Sequence, residues 1–220
     1  MPLPRNILSL AGLPMLFALL TLPAVAQIRS EPPLAAADGG LVLTTLGQRL
    51  ELPPPDWVGA DMAGDAMLSS FEAVFRSGDV EADLELYSNG AVYALATERY
   101  GAHVVRDAEA VPASYRDAIV DGFGRACVPG LVAFIQLGDD PDDVLAPLLL
   151  VCGAQVADTR HGEIMAINLR RSEAGLAIVH QQWRGAAFDP ARAEDWPAAP
   201  EAIEARARAL QAGTTLTLAD

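Results

Sequence analysis

The stretch from His161 to Asp189 constrains this chain most, because two runs rich in Ile, Val, Leu and Trp flank Ser172-Glu173-Ala174-Gly175 there. Extended apolar runs on both sides of a turn-forming tetrad predict a long β-hairpin, with Gly175 available for a positive φ. Taking those four residues as the loop sets Arg171 opposite Leu176. One face then carries Met165, Ile167, Leu169, Leu176, Ile178, His180 and Gln182, and this is the side expected to meet the core. The other carries Ile164, Ala166, Asn168, Arg170, Ala177, Val179, Gln181 and Trp183. A loop one residue shorter or longer would re-pair the faces.

The remaining elements follow from period and punctuation. Leu41 to Thr45 and Arg49 to Leu52 have strand composition around Leu46-Gly47-Gln48, and Pro53-Pro54-Pro55 stops the second strand before Trp57. The stretch from Gly59 to Met67 reads as a loop or one helical turn. Phe71, Ala73 and Phe75, then Ala82, Leu84 and Leu86, alternate with polar residues on either side of Ser77-Gly78-Asp79, which predicts a half-buried hairpin. Helix-compatible residues from Ala91 to Thr97 lead into a strand near Tyr100 to Arg106. Pro112, Tyr115, Ile119, Val120 and Phe123 oppose Arg116, Asp117 and Asp121, so 112–126 is an amphipathic helix opened by proline. Leu131 to Leu137 and Leu148 to Val156 read as strands, with Asp139, Asp140, Asp142 and Asp143 in the turn between them. The alternative caps a helix at Asp140, but Pro147 and Gly153 sit badly inside one. Pro200 to Ala212 carries Ile203, Ala207 and Leu210 on one face and ends at Gly213, the pattern of a helix with a glycine stop. Thr214 to Leu218 suits an edge strand.

Residues 1–26 combine Arg5, an apolar run and Ala24-Val25-Ala26, so they are expected to be a secretory signal peptide rather than part of the fold. Residues 27–40, with Pro32, Pro33 and Gly39-Gly40, read as a flexible lead-in, and 41–220 as a single α+β domain. Cys127 and Cys152 lie in the exported part and are expected to form a disulfide, worth roughly 3–4 kcal/mol in the chain-entropy model. Fifteen basic side chains, all Arg, stand against 29 acidic ones for a formal charge of −14. That field disfavours nucleic acid and anionic membrane surfaces, and the absence of Lys removes Schiff-base and P-loop chemistry.

Few residues carry a chemical signature. His103, His161 and His180 form no metal-ligand spacing, and the aspartate tetrad lacks the alternation, glycine and terminal Glu of a calcium loop, so neither a metal nor a cofactor is expected. No serine lies in G-x-S-x-G or S-x-x-K. His161-Gly162-Glu163 resembles an acid/base pair without a nucleophile, and His180 reads as a core-edge histidine. Trp183-Arg184 is either a recognition patch or a core Trp beside an ion-paired Arg. The candidate ligand or partner residues are therefore His161, Glu163, His180, Trp183 and Arg184.

The order of elements resembles exported bacterial proteins of the PsbP-like type, as do the Leu-Glu-Leu-Pro segment before Trp57, Ala82 to Gly90, Gly162-Glu163 and Gln181-Gln182-Trp183-Arg184-Gly185. The resemblance implies an α/β/α sandwich, an antiparallel sheet with helices on both faces, without enzymatic activity. The expectation is a periplasmic, non-enzymatic binding or accessory module docking on an envelope or periplasmic protein, without stable membrane insertion. Two alternatives stay open: an acid/base hydrolase using His161, Glu163 or His180, with at least two of them converging in a cleft, and a small-ligand carrier, which would need a concave apolar pocket between sheet and helix.

Overall fold

The computed structural model describes residues 27–28, 32–37, 39–59, 61–139 and 145–219. The expected signal peptide lies outside the described residues, as do Asp140, Asp142 and Asp143 of the aspartate tetrad.

The chain is a mixed α+β structure built on two antiparallel sheets. In order it runs β1 (Gln27–Ile28), β2 (Leu34–Ala37), β3 (Gly40–Thr45), β4 (Gln48–Leu52), α1 (Gly64–Leu68), β5 (Phe71–Ser77), β6 (Glu81–Ser88) and β7 (Glu98–Val105). There follow α2 (Pro112–Ala126), β8 (Val132–Gln136), β9 (Leu148–Cys152), β10 (His161–Arg171), β11 (Leu176–Ala186), α3 (Pro200–Gly213) and β12 (Thr215–Leu218). The larger sheet has the order β1-β5-β6-β7-β11-β10-β9-β8, and the smaller has β12-β4-β3-β2.

The hairpin β10–β11 lies inside the larger sheet with Arg171 opposite Leu176, the expected register. The Ser172 hydroxyl accepts from the amides of Ala174 and Gly175, closing the loop locally. Gly175 is there for space rather than for a positive φ: a Cβ at this position would sit 1.9 Å from the carbonyl oxygen of Val105. Gln48 ties the two sheets together at this end. Its amide donates to the Val105 carbonyl at 3.0 Å and its oxygen accepts from the Ser172 hydroxyl at 2.8 Å.

Two expectations need correction. The presumed lead-in contributes β2, paired with β3 through the turn at Gly39, where φ is +78°. A glycine at that position takes the left-handed backbone conformation without steric cost where the segment turns back on the sheet. The hairpin face expected to meet the core is also the shallower one. Ile164, Ala166, Ala177, Val179 and Trp183, on the opposite face, belong to the main core with α3 and the smaller sheet. Met165, Ile167, Leu169, Leu176 and Ile178 face a second, smaller cluster under α2. Both faces are apolar because both are covered, so alternation alone does not rank them.

Helix α3 lies over β10 and β11, with Ile203, Ala207 and Leu210 wholly buried. Its last carbonyls lack intrahelical partners, and β10 supplies them. Asn168 donates to the Leu210 carbonyl at 3.2 Å, and Arg170 donates to those of Thr214 and Gln211. On the same side Arg206 lies over the ring of buried Tyr100 and donates to the Pro54 carbonyl. Burial pushes the Tyr100 phenol far above its usual pKa, and its hydroxyl donates to the Pro53 carbonyl.

Helix α2 runs over 112–126 as expected, opened by Pro112. It ends at Cys127, which is bonded to Cys152 at the end of β9. None of the helix's own residues is fully buried. Tyr115, Ile119, Val120 and Phe123 pack half-buried against the second cluster.

Candidate functional site at the edge of helix α2

Because α2 is not sunk into the sheet, it leaves an open-sided apolar cleft of about 360 Å³ along one flank. Met165, Ile167 and Ile178 of the hairpin form its floor, and Tyr115, Ala118 and Ile119 of α2 form its roof. His103 and His180 complete the rim.

Strand register explains why two histidines meet there. His103 on β7 lies opposite Ile178 of β11 on one side and Asp83 of β6 on the other. His180 on β11 lies opposite Gly101, which lies opposite Glu85 of β6. Residues facing each other across antiparallel strands share a face, so the pairs Asp83–His103 and Glu85–His180 stand side by side. The His103 Nδ1 donates to Oδ1 of Asp83 at 2.7 Å. The His180 Nε2 is 3.3 Å from Oε1 of Glu85, a strand further away. That reach depends on Gly101: a Cβ there would lie 2.8 Å from the imidazole Cε1 and 2.4 Å from the Leu84 carbonyl oxygen. Any larger residue would displace the ring.

The hydrogen bond to Asp83 raises the His103 pKa against the opposing effect of burial. The same bond, helped by the charges of His103, Arg76 and His180, lowers that of Asp83 against burial. An ionised carboxylate only accepts, so it fixes the proton on Nδ1 and leaves Nε2 of neutral His103 as an acceptor. Such an imidazole can take a proton or a hydrogen bond from a molecule in the cleft. The cleft lining contains no Ser, Thr or Cys to be activated as a nucleophile.

The five residues expected to form a site are dispersed. His161 and Arg184 line a separate, larger concavity of about 560 Å³ at the end of the hairpin, together with Asp158, Arg160, Thr97 and Leu95. There His161 Nδ1 bonds Asp158 at 2.9 Å, and Arg160, pairing with that carboxylate, holds it well below its usual pKa. Glu163, 8 % exposed, accepts from the Gln182 amide, and Arg184 lies 3.9 Å from it. Trp183 is 3 % exposed and part of the main core, out of a partner's reach. Glu163 faces Arg184 and His180 faces Ile167. These positions are four residues apart on each strand, or about 13 Å along the sheet. Glu163 and His180 therefore do not converge on one site.

His180 does have a neighbouring imidazole and two carboxylates, from β6 and β7. The signal available in the sequence was the Glu81, Asp83, Glu85 alternation on the solvent face of one strand and His103 in the next. It becomes informative only once β6, β7 and β11 are known to be neighbours.

Among the described residues no three of His, Cys, Asp and Glu are placed to hold a metal ion, and no helix is long and apolar enough to cross a membrane. Comparison of the chain with protein-family models, curated proteins and solved structures finds no match in any of the three.

Proposed function

We propose that this chain is a non-enzymatic, exported binding module that takes a small apolar ligand in the cleft between α2 and the sheet. The observation that carries this reading is the half-buried seating of an amphipathic helix above Met165, Ile167 and Ile178, which leaves an apolar concavity of about 360 Å³. Ligand pockets have volumes of roughly 300–1,000 Å³ and combine an apolar lining with a few convergent polar groups. His103 and His180 are those polar groups. Export to the periplasm is supported by the leader-like residues 1–26 and by the Cys127–Cys152 bond, which suits an oxidising compartment. The likeness to PsbP-like proteins of α/β/α sandwich form remains part of this proposal, supported by helices on opposite faces of the central hairpin.

Methyl NMR with a neutral aromatic probe, benzyl alcohol, tests the reading. Saturable shifts are expected at Met165, Ile119, Ile167 and Ile178, with Ile203 and Leu210 on the other face unmoved. Shifts absent from the cleft methyls, or spread equally over both faces, would overturn it.

A further inference from the structure

The cleft has a chemical polarity that narrows its ligand. Toward the rim, β6 contributes Glu81, Asp83 and Glu85, all on the face that carries His103 and His180. The guanidiniums on that face of the neighbouring strands include Arg76 of β5, opposite Asp83, and Arg99 of β7, opposite Gln182. Helix α2 contributes the Tyr115 ring. With both imidazoles neutral and Arg99 turned onto the Tyr93 ring and carbonyl, the three β6 carboxylates outweigh Arg76, and the rim is negative next to an apolar floor. The whole chain, at −14, reinforces that sign. Nδ1 of His103 is taken by Asp83, and Nε2 of His180 lies beside Glu85. His103 Nε2 is therefore the ring nitrogen left on that residue to receive a hydrogen-bond donor.

We propose that the cleft binds a small primary amine with an apolar body, its ammonium donating to Nε2 of neutral His103 and drawn by the Asp83 and Glu85 carboxylates. This rests on the cleft being a ligand site at all. The body lies on Met165, Ile167 and Ile178, with the Tyr115 ring able to face the cation. An anion of the same shape meets the wrong field, and a neutral analogue forgoes the charge. Acidification works against the amine in two ways. Protonated His103 turns its Nε2 from acceptor to donor, and its positive charge cancels that of Asp83. The bond to Asp83 favours that protonation, so release on acidification begins above the pH at which a free imidazole titrates.

The test uses the full disulfide-bonded chain and three probes sharing one aromatic body: benzylamine, benzyl alcohol and benzoate. At about pH 8, benzylamine is expected to shift the Met165, Ile119 and Ile178 methyls and the His103 ring with a Kd about tenfold or more below that of benzyl alcohol. Benzoate is expected not to bind. At about pH 5.5 the benzylamine advantage should disappear, because His103 is then charged. Asp83→Asn and, separately, Glu85→Gln should each weaken benzylamine toward the alcohol, with the Ile203 and Leu210 methyl resonances in their native positions reporting that the chain is still folded, and undiminished benzylamine affinity in both variants would overturn the assignment. Benzyl alcohol or benzoate binding as tightly as benzylamine would overturn the amine assignment and leave the cleft standing. Failure of all three probes to move the cleft methyls would overturn both.

Discussion

The two long helices lie on opposite faces of one hairpin and are seated in different ways. Ile203, Ala207 and Leu210 of α3 are at 0 % exposure, and the helix end is capped by Asn168 and Arg170 from the strand beneath. Helix α2 has an apolar face of similar size but no fully buried residue, and a disulfide fastens its C-terminal end. One face of the hairpin is closed by packing. The other is held by a covalent bond and left open along its flank. A helix that is tethered rather than sunk keeps apolar surface available, and this difference is why the functional reading falls on the α2 side.

The comparison can be broken by truncating equivalent residues. Leu210→Ala should cost about 3–4 kcal/mol of unfolding free energy, the range for a wholly buried leucine whose cavity cannot collapse. Ile119→Ala on α2 should cost about 1 kcal/mol, because its site is already half open to water. Urea denaturation of both variants checks this, and equal losses would mean that the helices are seated alike.

Removing the tether comes next. Replacing Cys127 and Cys152 together by Ser should lower stability by about 3 kcal/mol, the loop-closure value for this sequence separation. Hydrogen exchange should show the loss of protection concentrated in α2 and spare α3. Uniform loss over both helices would make the bond a general staple instead of a fastening for α2.

The smallest effect is electrostatic. Asp83 has a lowered pKa, so its contribution is present above the usual carboxylate value and fades as pH falls through the lowered folded value. His103 has a raised pKa, so its contribution is complete below the usual imidazole value and is lost as pH rises through the raised folded value. Both are intact only between about pH 4 and 6.5. The pair is partly exposed, with side-chain exposures of 29 % for His103 and 51 % for Asp83, so solvent screening keeps its worth small. Denaturation midpoints should decline slightly from about pH 6 to pH 8 in the native chain and less in Asp83→Asn. An unchanged slope in the variant would dissociate the pair from the pH response.

Much of the framework was legible before any coordinates. Ser172 to Gly175 set the hairpin register, Pro112 and the spacing of Tyr115, Ile119 and Phe123 placed α2, and Cys127 and Cys152 pair as expected. These features are local, or link two residues that have few alternatives. The ranking of the hairpin faces was not legible, because Ile164 and Val179 on one side and Ile167 and Ile178 on the other are equally apolar. What separates them is how deeply α3 and α2 sit, a property of distant segments. The candidate site was hidden for a related reason. Asp83 and His103 are 20 residues apart, and Glu85 meets His180 only because Gly101 lets the ring pass over the intervening strand. Local spacing instead pointed to His161 and Glu163, whose partners prove to be Asp158, Gln182 and Arg184.

Filling the cleft tests the central claim most directly. Ala118 lies exposed on α2 and lines the concavity without supporting the core. If the cleft is a ligand site left open by the seating of α2, Ala118→Trp should keep folding stability within about 0.5 kcal/mol and abolish the benzyl alcohol shifts at Met165 and Ile178. Undiminished binding to a stably folded Ala118→Trp chain would contradict the account.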